Sequence, residues 1–149
     1  MHARANLGFS LMELMIVVII ISILAAVAYP SYRMQVMQSR RAEAQAALMA
    51  ITQYFEREYS EDGAYSDLDD WESVCAGADG DPKPTYCTYY DIEIVEGSLD
   101  ADGYLLKATP KGPQAEDGAL YIDQAERRFW DENNDLDVDD AGENDWRRG

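Results

Sequence analysis

The chain has 149 residues, 47% of them hydrophobic, and carries 12 basic against 29 acidic side chains for a net charge of −17. That length holds one domain with a modest core plus a short appendage. So acidic a field repels phosphate, which speaks against direct nucleic-acid binding, and the single histidine, His2, leaves no Cys/His metal cluster.

The first element is an apolar run. Residues 9–28 read FSLMELMIVVIIISILAAVA, and about 20 such residues are enough to cross a bilayer. One residue is out of place. Glu13 puts a carboxylate inside the run, and a charge at membrane depth is costly enough to mark function and to require a partner. Just before it, Gly8 meets Phe9 directly after a short polar leader. An ordinary secretory signal is one rival, with Arg4 as its basic end and Ala26-Val27-Ala28 as a cleavage site. A plain membrane anchor is another. Neither accounts for Glu13.

A small residue, a bulky aromatic, an acid four positions on and then an apolar run resemble the class III signal of type IV prepilins. The resemblance implies cleavage between Gly8 and Phe9 by a prepilin peptidase that also N-methylates the new terminus at Phe9. It implies a leader over residues 1–8, a membrane and filament-core helix over 9–30, and an exported globular part over 31–149. For Glu13 it implies a role in subunit assembly, and electrostatics supply a reason. Cleavage leaves a cationic amine one helical turn from the carboxylate. Within one helix this i,i+4 pair is weak in water. Between two packed helices, the amine of one subunit can neutralise Glu13 of the next. A wrong stagger leaves both charges buried and unpaired, at a cost of several kcal/mol. Glu13 is therefore expected to set register.

Pro30 follows the run, removes a helical hydrogen bond and is expected to kink the helix or loosen the preceding turn. Helical signals then continue over residues 31–59. Ala44, Leu48, Ile51, Phe55 and Tyr59 fall at spacings of four, three, four and four, which draws one apolar stripe. Arg40, Arg41, Glu43 and Glu56 are expected off that stripe. A continuous helix of about 50 residues reaches about 75 Å, longer than so small a domain needs. Residues 60–88 break the pattern with Gly63, Gly77, Gly80, Pro82 and Pro84 and read as a loop. Cys75 and Cys87 are an even pair in a chain that reads as exported, where a disulfide is the default.

Strands are expected over residues 89–95, 104–110 and 120–123. In the first, Tyr90, Ile92 and Ile94 alternate with Asp91 and Glu93. The fold class is α+β: a long N-terminal helix packed on a small antiparallel sheet of three or four strands within residues 89–123. This is also the pilin fold, and the segments around residues 54–65 and 104–123 resemble minor pilins of the PilE type. Residues 124–149 read as an acidic tail. There, Asp131, Asn133, Asp135, Asp137 and Asp139 set oxygen ligands at every second position, the donor chemistry calcium prefers. Leu136 stands where an EF-hand needs glycine and Gly142 where it needs glutamate, so the alternatives are a looser calcium site or a solvated acidic face.

No phosphate loop or nucleophile elbow is present. The expected function is structural: a subunit, of the minor class, of a type IV pilus, with no cofactor other than the calcium alternative. The resemblance implies a single-pass inner-membrane protein of a Gram-negative bacterium before assembly and a filament subunit after it. The implied partners are other pilin subunits, the prepilin peptidase and N-methyltransferase, the inner-membrane assembly platform and the lipid bilayer. A pseudopilin of a type II secretion system and a membrane-anchored calcium-binding module are the competing functions.

Overall fold

The computed structural model of the chain describes residues 9–65, 68, 71, 84–132 and 146. Two compact units divide it, Met1–Val36 and Met37–Gly149. Helix α1 is assigned over Leu11–Asp62 and enters both. It continues without a break through Pro30, where the Ser31 hydroxyl donates to the Val27 carbonyl at 3.3 Å. Its end has a local cause. Gly63 takes a φ of 75° and its N–H donates to the Tyr59 carbonyl at 2.8 Å, a left-handed cap that frees the chain from the helix.

In the C-terminal unit, α1 buries Ala44, Leu48, Ile51 and Phe55. Against them lies an antiparallel meander in the order β1-β2-β3-β4: β1 Tyr90–Ile94, β2 Leu105–Pro110, β3 Ala119–Asp123 and β4 Arg128–Asp131. Register is set by alternation. Leu106 and Ala108 of β2 lie opposite Ile122 and Leu120 of β3, and all four are fully or almost fully buried in one cluster with the helix stripe. At about 1.5–3 kcal/mol for each large apolar side chain removed from water, this stripe suffices to hold the helix on the sheet. Phe55 packs edge-on against Tyr104, and Tyr65 packs on Tyr104 in turn. Burial is the main reason the Tyr104 phenol is pushed up to about 12.

Several boundaries differ from the sequence expectations. Helix α1 runs on to Asp62, and Tyr59, placed on the stripe by spacing, is 36% exposed and stacks on Tyr65 instead. A short helix α2, Thr85–Tyr89, closes the segment read as loop and places Cys87 inside. The largest correction concerns the acidic tail, because its first part is strand β4. There Trp130 is buried opposite Leu120, and Asp131 is fully buried opposite Ala119. Two charged residues flanking Phe129-Trp130 hide a strand from a reading that looks for acidity. Cys75 and the calcium candidates Asn133, Asp135, Asp137 and Asp139 lie outside the described residues.

The turn between β2 and β3 contains a 3-10 helix, Gly112–Gln114, and then Gly118 at φ 84°. A side chain at 118 has nowhere to go: a Cβ there would sit 2.2 Å from the Asp131 carbonyl oxygen. Gly118→Ala is therefore expected to cost at least about 3 kcal/mol from clash and backbone strain together. The urea midpoint of the full chain in detergent measures it, and an unchanged midpoint contradicts the expectation.

Candidate assembly helix and its anchoring node

Two sets of residues stand out, one in each unit. In the N-terminal unit, Phe9 and Ser10 precede the helix, and the Leu14 N–H donates to the Ser10 carbonyl at 3.1 Å. Glu13 lies in the first helical turn, where the unpaired N–H groups of the helix start favour a negative charge. From Phe9 to Met34 the large apolar side chains are exposed, Phe9 at 75% and Leu24 at 63%. Among the described residues this is one helix long and apolar enough to cross a membrane, with none of its apolar window buried. Such a surface is stable only in lipid or against other apolar helices. Gly8 lies outside the described residues.

The second set was not anticipated. Arg41 is buried, and its Nε donates to Asp117 Oδ2 at 3.0 Å while its Nη2 contacts Asp117 Oδ1. The Tyr90 hydroxyl donates to the same carboxylate at 2.6 Å, and Gln114 Nε2 lies 2.8 Å from it. Gln114 Nε2 also lies 3.0 Å from the Met37 carbonyl, and the Trp130 indole N–H donates to the Asp117 carbonyl at 2.7 Å. The Arg41 guanidinium lies 3.8 Å over the Trp130 ring. Burial, followed by the Asp117 carboxylate that accepts its proton, holds the Tyr90 phenol far above its ordinary range.

This node binds α1, β1, β4 and the β2–β3 turn at one point. A buried carboxylate is tolerable only when its lone pairs are used, and the donors from Arg41, Tyr90 and Gln114 use them. Chemically the node is a fastener: it holds no nucleophile or base open to a substrate. Arg41, expected off the apolar stripe, lies instead at its next position, three residues before Ala44, and is buried there. A charge at a stripe position implies a buried partner.

Of the metal candidates, Asp131 is described, and its full burial differs from the open position a solvated calcium loop needs. Among the described residues no group of three or more His, Cys, Asp or Glu side chains converges as a metal site. Glu13, Pro30 and Phe9 lie in the N-terminal unit, whereas Cys87 lies in the C-terminal one.

Comparison with known proteins gives two family matches. Residues 30–119 match the family described as type IV minor pilin ComP, DNA uptake sequence receptor. Residues 3–29 match the prokaryotic N-terminal methylation motif. No curated protein sequence matches the chain at a significant level. Among solved structures, the non-core minor pilin PilV of Neisseria meningitidis is similar, at 16% identity and a TM-score of 0.49 over 63% of this chain and 85% of that one.

Proposed function

We propose a specific working cycle for this chain, which belongs to the family of the type IV minor pilin ComP. As a type IV minor pilin subunit it is a structural protein, anchored by its apolar helix and assembled with other pilins. In the proposed cycle it crosses the inner membrane of a Gram-negative bacterium once, with residues 31–149 exported. Cleavage between Gly8 and Phe9 frees the amine, Phe9 is N-methylated, and the assembly platform passes the subunit into the filament. There Glu13 meets the amine of a neighbouring subunit, Pro30 supplies a loosened joint, and Cys75 pairs with Cys87.

The observation that carries this reading is the exposed apolar helix with one carboxylate in its first turn, lying within the matched methylation motif. An intact mass of the chain purified from membranes tests it. The expected species starts at Phe9, carries one methyl group and is two hydrogens lighter than the dithiol form. A mature start at Tyr29 sinks the cycle, and a full-mass dithiol sinks the disulfide alone.

A second reading is favoured by the family match itself, whose description names a DNA uptake sequence receptor. On this chain, Arg40 lies 3.6 Å over the Tyr89 ring, and the Lys111 backbone N–H donates to the Tyr89 carbonyl. That is a local spot of one cation over an aromatic ring on an acidic molecule, with the Lys111 ammonium beside it paired to Asp91. If it holds phosphate, duplex affinity falls steeply between low and physiological salt, and Arg40→Glu with Lys111→Glu abolishes it. Salt-independent binding, or binding that survives both changes, removes this reading. Fluorescence anisotropy with a labelled duplex measures it.

A further inference from the structure

The stretch that leaves the apolar run has a composition of its own. The chain carries 29 acidic residues, yet none lies between Glu13 and Glu43. The cations of that stretch are Arg33, Arg40 and Arg41. Arg40 lies over the Tyr89 ring and Arg41 is buried against Asp117. Arg33 is exposed, and among the described residues no carboxylate pairs with it. Tyr29 and Tyr32 are exposed as well, at 65% and 69%. At spacings of three and four residues, Tyr29, Tyr32 and Arg33 share one face of helix α1. Ser31, on another side, turns its hydroxyl back to the Val27 carbonyl.

Position along the helix says what meets this face. The apolar run ends at Ala28, and residues 9–28 reach about 30 Å as a helix, the thickness of a hydrocarbon core. Residues 29–33 then rise from about 1.5 to 7.5 Å past its edge. A headgroup layer is about 5–8 Å deep on each side, so the three side chains lie within it. Tyrosine prefers that layer because its ring is apolar and its hydroxyl polar. A guanidinium there offers paired N–H donors to a phosphate. A second copy inserted at the same depth brings another Arg33 to this level, and its helix has no acid between Glu13 and Glu43 to meet the first.

We propose that Tyr29, Tyr32 and Arg33 form a headgroup collar, in which Arg33 binds the phosphate of a phospholipid on the exported side of the membrane. The collar rests on the single-pass reading given above. Together with Glu13 it brackets the depth of the span. Glu13 lies about 20–25 Å along the helix from Tyr29, near the opposite edge of the core, and its Cβ leans toward the helix start. Moving the helix inward takes the guanidinium and both phenols into hydrocarbon. Moving it outward by one turn takes the Glu13 carboxylate there instead. The unassembled subunit therefore has one preferred depth, with both charges in polar layers.

The test reconstitutes the full chain, carrying Arg4→Lys and isotopically labelled at the arginine Cζ, into vesicles of phosphatidylethanolamine and phosphatidylglycerol in phosphate-free buffer. In solid-state NMR, lipid phosphorus is expected to dephase the arginine Cζ signal, and Arg33→Gln is expected to lose most of that dephasing. A fluorescent amino acid at Val27, quenched by lipids brominated at known depths, reads the position of the span. With Tyr29→Ser, Tyr32→Ser and Arg33→Gln together, the Val27 probe is expected to move toward the bilayer centre by about 5 Å, one helical turn. The three positions are exposed, so the circular dichroism of the C-terminal unit is expected to stay unchanged. A probe at Ile19 reports the span itself, and quenching there only from water overturns the single-pass reading and the collar with it. Ile19 quenched from the bilayer centre, but with no dephasing lost in Arg33→Gln or no movement of Val27 in the triple variant, overturns the collar alone.

Discussion

Asp117→Ala is expected to unfold the C-terminal unit at temperatures where the native chain is intact. The change removes the acceptor for Arg41, Tyr90 and Gln114 together and leaves the Arg41 guanidinium buried beside Trp130. Breaking a buried pair from one side costs about 3–5 kcal/mol, which in a unit of this size lowers the melting temperature by roughly 10–20 °C. Arg41→Ala is expected to do the same, and the double change to cost much less than the sum because the two residues act as one. Arg41→Met with Asp117→Leu should recover part of the loss, since apolar groups of similar volume need no partner. Near-ultraviolet circular dichroism against temperature reads all four, Trp130 lying within the node. A melting temperature unchanged in Asp117→Ala would show that the node contributes nothing to stability.

The second large effect concerns assembly rather than folding. Glu13→Ala is expected to leave the subunit in the membrane and to reduce its incorporation into filaments to below roughly a tenth, because an amine buried without its counter-charge costs several kcal/mol and each 1.4 kcal/mol is tenfold. The apolar helix itself becomes more hydrophobic, so insertion does not suffer. The ratio of subunit in sheared filaments to subunit in membranes measures this. Normal incorporation would defeat the register role of Glu13. Asp117→Ala at permissive temperature serves as the contrast: its defect follows temperature, whereas that of Glu13→Ala does not.

Local pattern made the helix and three of the strands legible. The stripe Ala44, Leu48, Ile51 and Phe55 is buried as spacing implied, and the alternation of Tyr90, Ile92 and Ile94 matches the burial along β1. Strand β4 was not legible because its evidence is long-range. Phe129 and Trp130 are too short a run to declare a strand, and they become one by pairing with Tyr121 and Leu120. Gly118 shows the same limit: it reads as a turn residue, while its necessity lies in the nearness of the Asp131 carbonyl. The apolar helix was legible from composition, and the one misplaced carboxylate pointed to the methylation motif that residues 3–29 match. The node was not legible: Arg41 was expected off the stripe although it is buried, and nothing local to Asp117 says that it is the partner.

The distance in sequence across that node also sets a clock. Arg41 and Asp117 are separated by 76 positions, and Gln45 meets Trp146 across 101. At bacterial-scale synthesis of about 5–20 residues per second, Asp117 is made roughly 4–15 s after Arg41. Residues 9–30 are complete before either. Throughout that interval the guanidinium waits solvated, and the second half of α1 has no sheet to lie on. The apolar segment is therefore finished while the C-terminal unit is still an open chain, and closure of the node comes late in synthesis.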